Sequence, residues 1–232
     1  MNQKLSVSFF CPAYQDEKNL PRLIPDIIRV FKKHTKKFEI VIVHDGSPDK
    51  TGIVADMLAK TYASYVRVVH HATNRGYGAA LRSGFDHANT HEFVFYTDGD
   101  YQYVVEEIPL LLEKINGCDA VIGYRTVRRL TLARHIQTRV FNALVRLLFG
   151  IHVRDINCSM KLIRRSVLDE IHLVSDGSFI EAELLIKLMR TGKKIREVPV
   201  THLPRKFGNA SGGKPGVIFQ TFAEIFSMYF FR

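Results

Sequence analysis

Thr97-Asp98-Gly99-Asp100-Tyr101-Gln102 sets two carboxylates two residues apart at the end of the apolar run 93–97, with a glycine between them. Oxygen donors so spaced suit a hard divalent cation such as Mg²⁺ or Mn²⁺, which keeps waters and completes its shell from substrate phosphates. An Asp-Gly pair is also a common surface turn, so its surroundings decide its meaning. Each of four other apolar runs is followed by residues of the same unusual kind. Pro12, Tyr14 and Asp16 come after 5–11, Asp45 after 38–43, Asn74 and Gly76 after 65–70, and Arg125 after 120–123.

The five runs have the length of buried strands, and helical patterns lie between them. Leu20, Leu23, Ile24, Ile27, Ile28 and Phe31 recur at helical spacing, with Asn19 placed to cap and Pro21 in the first turn. Val54, Met57, Leu58 and Tyr62 make a second helix, 78–88 a third, and Ile108, Leu111, Leu112 and Ile115 a fourth. This alternation predicts an α/β fold with a mostly parallel central sheet and helices on both faces. In such a sheet ligands bind beyond the carboxyl ends of the strands, where the unusual residues converge.

The chain has 232 residues, 46% of them hydrophobic, which suits one large domain. Its net charge of +10 calls for an anionic partner: a nucleotide, a nucleic acid or an acidic membrane. Cys11, Cys118 and Cys158 stand too far apart for a disulfide framework or a metal knuckle, as expected of a reducing compartment. Gly76-Tyr77-Gly78 lacks the third small residue and the acidic partner of a dinucleotide fingerprint, and no phosphate loop ending in Lys-Ser/Thr occurs. The C-terminal run 217–231 carries Glu224 as its only charge and is shorter than the roughly 20 residues of a membrane-crossing helix. It is expected to lie on a membrane rather than cross one, with the protein cytoplasmic and peripheral to the membrane's cytoplasmic face.

Between Asp119 and Asp155 there is no acidic residue, while Arg125, Arg128, Arg129, Arg134, Arg139, Arg146 and Arg154 are all present. Arg134, Thr138 and Asn142 share one helical face; Val140, Phe141, Leu144, Val145 and Leu148 form an apolar surface. Such a helix suits an anionic bilayer, although Arg128, Arg129 and Arg146 fit a solvated helix equally well. Nucleic acid is disfavoured, because the run lacks interleaved aromatics and the Asp98-Asp100 turn repels a phosphate backbone. Glu181 and Glu183 open a helix, where they either order the site or complement the helix dipole.

Pro12-Ala13-Tyr14, Val43-His44-Asp45-Gly46-Ser47-Pro48-Asp49, Asn74-Arg75-Gly76-Tyr77-Gly78-Ala79-Ala80 and Asp98-Gly99-Asp100 together resemble the family 2 glycosyltransferases of GT-A fold. Arg134, Thr138, Asn142, Gly150 and Asp155 are similar to the dolichyl-phosphate mannose synthase and polyprenyl-phosphate branch. The resemblance implies that Pro12, Tyr14 and Asp16 line the base pocket, Asp45 reaches the base or ribose, and Asp98, Asp100 and Gln102 hold Mn²⁺ or Mg²⁺ against the donor diphosphate. It gives the acceptor phosphate to Arg125, Arg134 and Thr138, and a loop over the diphosphate to Arg205, Lys206 and Ser211. Asp100, Arg125 and Arg134 become the catalytic residues. Two departures, Gln15-Asp16 for the usual Asn-Glu and His44 for the usual Asp, leave the base open.

The implied reaction is inverting transfer of a hexose from a GDP-mannose or UDP-glucose type donor to a polyprenyl or dolichyl phosphate. A hydroxyl acceptor on a soluble glycan, with Glu181 or Glu183 as base, is the alternative within the fold, and a non-catalytic nucleotide- or RNA-binding protein the alternative outside it. The catalytic domain is expected over 1–212 and an apolar helix over 213–232. Attachment to the membrane has three expected routes: transmembrane helices beyond this sequence, a separate membrane subunit, or Phe219, Phe222, Phe226, Tyr229 and Phe230 as an interfacial anchor. A homo-oligomer packed through those aromatics is the fourth reading.

Overall fold

A computed structural model describes residues 4–126, 132–207 and 215–231. Its strands are β1 (Ser6–Ala13), β2 (Lys37–Asp45), β3 (Val66–His71), β4 (Phe93–Tyr96), β5 (Ala120–Arg125), β6 (Lys161–Arg164) and β7 (Ile195–Val200). The helices are α1 (Leu20–His34), α2 (Thr51–Thr61), α3 (Tyr77–His87), α4 (Ile108–Lys114), α5 (Leu132–Phe149), the single turn α6 (Arg165–Leu168), α7 (Ile180–Arg190) and α8 (Pro215–Phe231).

One seven-stranded sheet runs in the order β3-β2-β1-β4-β6-β5-β7. β6 is antiparallel to both its neighbours, β4 and β5, and every other pairing is parallel. The five expected strands are present; β6 and β7 add two. All four residues of β4 are buried, as a central strand covered on both faces requires. One core holds Phe9, Ile24, Ile27, Phe31, Ile40, Phe95 and Leu111 under α1, α2 and α4. The other holds Phe10, Val43, Phe85, Tyr96, Ile122, Leu184, Ile225 and Met228, so α7 and α8 both close onto the sheet's opposite face.

The order reverses at β1: β2 and β3 lie on one side, β4 and the rest on the other. This reversal opens a crevice beyond the strand ends. Across it the N–H of Gly99 donates to the carbonyl of Pro12 at 3.1 Å, and a Cβ on Gly99 would lie 2.6 Å from that oxygen. Gly99 is therefore needed for close approach, whereas the left-handed turn residue is Tyr101, at φ 56°. Tyr101 is fixed there by its hydroxyl on Asp26 Oδ2 (2.5 Å) and by Arg22, 4.7 Å over its ring.

Asn19 stands at the N-cap of α1 but makes no side-chain cap bond, contrary to the sequence expectation. Its Nδ2 donates to Asp16 Oδ1 at 2.8 Å, while the carbonyl of Asp16 accepts from the N–H groups of Asn19 and Leu20. Among the described residues no helix is long and apolar enough to cross a membrane.

Candidate active site

The loop after β1 sets Asp16 beside the turn after β4. Asp16 is 5% exposed, takes the N–H of Tyr14 on Oδ2 (3.1 Å) and donates its own N–H to Thr51 Oγ1 (2.9 Å). Burial pushes its carboxyl up to about 6, with Asn19 and Tyr14 pulling the other way. Tyr14 stands at the rim with 42% of its surface exposed, and Pro12 is buried in the strand below. Ser47 ties this loop to the next, accepting from the N–H of Gln15 (2.9 Å) and donating to Asp49 (2.6 Å). Ser47 N–H in turn donates to His44 Nε2 at 3.0 Å, and His44 Nδ1 faces His70 Nδ1 at 3.0 Å. Burial and His70 hold His44 below the usual histidine range.

Asp45 ends β2 with 3% exposure and a full set of protein donors. Oδ1 receives His71 Nδ1 (2.6 Å) and Arg75 N–H (2.9 Å); Oδ2 receives Asn74 Nδ2 (3.0 Å) and Gly76 N–H (3.1 Å). It organises the 74–76 turn, and a direct reach to a base or ribose requires one donor to yield. His71 also meets Ser83 at 2.8 Å. The His71–Asp45 pair is buried, with His71 at 7% and Asp45 at 3% exposure.

Asp98 and Asp100 bracket the crevice floor. Asp98 takes Tyr77 on Oδ1 (2.9 Å) and Ser159 on Oδ2 (2.8 Å). Burial and then the neighbouring Glu181 charge push its carboxyl up. Asp100, 7% exposed, accepts the N–H of Gln102 at 3.1 Å and ion-pairs with Arg205. Burial, then Asp98, raise it to about 7 against the pull of Arg205. Gln102 gives its amide NH₂ to the carbonyl of Leu203 (2.9 Å), while Lys206 is exposed beyond Arg205.

Among the described residues no three His, Cys, Asp or Glu side chains form a metal cluster by themselves. The donor set nevertheless fits a hard cation. Half-buried Asp98 and buried Asp100 repel each other here, and the cation that Asp100 meets is an arginine on a neighbouring loop. A divalent ion taking half its shell from a diphosphate and water needs no larger protein cluster.

β5 delivers Arg125, whose Nε and Nη2 close on Asp155 at 2.7 and 2.9 Å. Burial works against its charge, and the Asp155 pair more than restores it. The fork expected on an acceptor phosphate thus lies on a carboxylate in this structure. Thr138 is half-buried on α5; the side chain of Arg134 and all of Ser211 lie outside what is described. Arg146 donates to the carbonyl of Val153 (2.7 Å) and Arg154 covers the ring of Tyr124 (4.5 Å), both structural roles.

The two helix carboxylates separate cleanly. Glu183 accepts the N–H groups of Val174 and Ser175 and pairs with Lys187, a structural assignment. Glu181 faces the site, held by Tyr77 on Oε1 (2.8 Å) and by Tyr96 (2.7 Å) and Lys161 on Oε2. Tyr77, Ser159, Lys161 and Thr51 were absent from the sequence-derived site. A lysine at 0% exposure is detectable only once burial is known.

Comparison with known proteins agrees with this geometry. Residues 8–178 match Glycosyl transferase family 2. Over 208 residues the chain is 31% identical to polyprenol monophosphomannose synthase of Mycolicibacterium smegmatis, covering 85% of this chain and 77% of that protein. It is 30% identical over 206 residues to undecaprenyl-phosphate 4-deoxy-4-formamido-L-arabinose transferase of Sodalis glossinidius, covering 88% of this chain and 62% of that relative's length. The fold is similar to glucosyl-3-phosphoglycerate synthase of Mycobacterium tuberculosis, solved with Mn²⁺, UDP and phosphoglyceric acid. The TM-score is 0.74 at 21% identity, over 98% of this chain and 80% of that one. With its family match running from β1 to the loop before α7, the chain belongs to glycosyl transferase family 2.

Proposed function

We propose that this glycosyltransferase moves a hexose, with inversion, from a nucleoside diphosphate sugar to a polyprenyl phosphate at a membrane surface. The observation that carries the reading is the pairing of half-buried Asp98 with buried Asp100 at the sheet's reversal point, with a cation already drawn to Asp100. Asp98, Asp100 and the side-chain oxygen of Gln102 would hold Mn²⁺ or Mg²⁺, which when bound neutralises charge on the departing nucleoside diphosphate. Tyr14, Pro12 and Asp16 form the wall for the base, and Asp45 shapes the 74–76 turn beside it.

Arg205, which pairs with Asp100 in this structure, and Lys206 next to it would hold the diphosphate, a role the resemblance also gives to Ser211. Arg125, oriented by Asp155, joins Arg134 and Thr138 in holding the acceptor phosphate and aiming one of its oxygens at the sugar. A phosphate nucleophile is anionic at neutral pH and needs no strong base. A hydroxyl acceptor needs one, and Glu181 is a poor candidate because it is 3% exposed with its Oε2 held by Tyr96 and Lys161. Two relatives whose names specify polyprenol or undecaprenyl phosphate support the lipid acceptor.

The catalytic unit takes in 1–212. The α8 segment within 213–232 presents Phe219, Phe226, Tyr229 and Phe230 outward as an interfacial anchor, which fits a peripheral place on the cytoplasmic face of a membrane. The test is thermal stability against UDP, GDP and their sugars with Mn²⁺ or chelator, followed by transfer of radiolabelled sugar to undecaprenyl phosphate. Stabilisation by one nucleotide only with metal, and label in the lipid phase, is expected. No stabilisation by any nucleotide removes the reading; label in a soluble glycan alone moves the acceptor to a hydroxyl.

A further inference from the structure

The Asp98 carboxylate is gripped at both oxygens by side chains from two separate elements. Tyr77, at the start of α3, donates its hydroxyl to Oδ1 at 2.9 Å. Ser159, just before β6, donates to Oδ2 at 2.8 Å and has its own N–H on the Tyr103 hydroxyl (3.2 Å). Tyr77 is braced in turn: its oxygen lies 2.8 Å from Glu181 Oε1. Glu181 is pinned by Tyr96 at 2.7 Å and by the fully buried Lys161. Lys161 hangs from the carbonyls of Cys158 (2.6 Å) and Ile156 (3.2 Å).

A phenol has one proton and serves one carboxylate at a time. Glu181 already draws on an ammonium and a second phenol, so Asp98 is the carboxylate with the greater need of it. Asp100 has no such frame; its side chain meets the N–H of Gln102 and the guanidinium of Arg205. The two carboxylates of the turn thus differ, one locked by α3, β6 and α7, the other tied to a loop.

We infer that Tyr77 and Ser159 are positioning residues that hold Asp98 at the angle for a divalent cation, with Glu181 and Lys161 as the brace behind Tyr77. The inference rests on the metal-site reading given above. Partners of this kind fix a ligand's orientation before the ion arrives, and removing one typically costs about 10–100-fold in metal affinity or activity. Asp98 has two such partners, so losing either gives the lower end of that range.

The experiment measures Mn²⁺ binding in the presence of UDP or GDP, from the loss of the free-ion resonance signal, on wild type, Tyr77→Phe, Ser159→Ala and Thr35→Val. Thr35→Val removes a buried hydroxyl that donates to the carbonyl of Phe31 at the end of α1 and touches none of these residues, so it controls for a merely structural role. Expected is a roughly tenfold weaker Mn²⁺ constant for Tyr77→Phe and Ser159→Ala, Thr35→Val within about twofold of wild type, and turnover restored to the first two by excess Mn²⁺. If Tyr77→Phe does not fold, Ser159→Ala carries the test alone. An unchanged Mn²⁺ constant in the folded variants, or an equal loss in Thr35→Val, overturns the inference while the metal site stands. A wild type that binds no Mn²⁺ with either nucleotide overturns both.

Discussion

At the scale of single residues, the site is a set of carboxylates kept where carboxylates are least comfortable. Asp16 and Asp100 rise to about 6 and about 7 because burial penalises their charge. The sign of the linkage follows: the folded state binds more protons than the unfolded one, so without metal their contribution is lost as pH rises from about 4 through about 7. Asp100→Asn should therefore match wild type near pH 4 and melt several degrees higher at pH 8 in chelator, at up to roughly 1.4 kcal/mol per pH unit crossed. Equal melting temperatures at pH 8 refute the assignment. Asp100→Ala should also abolish the Mn²⁺-dependent nucleotide shift and lower kcat/KM by about 10²-fold or more. Arg125 and Asp155 invite a double-mutant cycle. Because Asp155 is 1% exposed, Arg125→Ala alone strips a two-pronged partner from a buried carboxylate and should cost about 1.5–3 kcal/mol, with Arg125→Ala/Asp155→Ala recovering part of that in urea melts.

Elements position these residues through contacts of few atoms. The crevice is held shut at its base by one peptide bond meeting another, Gly99 N–H on Pro12 O, with no room for a methyl group. Gly99→Ala should push β1 from the turn after β4, costing about 1–3 kcal/mol in thermal melts and removing the nucleotide shift even where the fold survives. Retention of both properties would show that the strand ends can part without harm. α7 divides its labour in one turn: Glu181 points at Tyr77 and Asp98, whereas Glu183 anchors the loop at 174–175. The first is the one the proposal ties to metal binding, and the second serves stability.

For the whole molecule, charge and apolar surface act together. The chain carries a net +10, and α8 shows Phe219 at 78%, Phe230 at 66% and Phe226 at 51% exposure. On α5, which contacts α8, Leu147 is 81% exposed and Arg139 also faces outward. Vesicles rich in anionic lipid should therefore bring the protein to the top of a flotation gradient at low salt. Binding should fall as ionic strength rises past the point where the screening length is below about 8 Å. Phe219→Ser/Phe226→Ser/Phe230→Ser should stay at the bottom while keeping its Mn²⁺-dependent nucleotide shift. Flotation that is indifferent to these substitutions would locate the membrane contact elsewhere.

Five strands, most of the helices and the convergence of Pro12, Asp16, Asp45, Asp98, Asp100 and Arg125 at the strand ends were readable from the chain. Apolar periodicity records burial, and loop residues of rare type stand out against it. β6 escaped because Lys161 interrupts its apolar pattern, and β7 because the adjacent Arg196 and Glu197, and then Pro199, break its apolar run. Only the tertiary structure decided which acid does what. Asp45 spends its oxygens on the 74–76 turn, Arg125 closes on Asp155, and Asn19 serves Asp16 instead of its helix. Hydrogen bonds between residues 104 positions apart, as between Tyr77 and Glu181, have no local signature. They depend on which strands lie side by side, and strand order is a property of packing that no window of sequence contains.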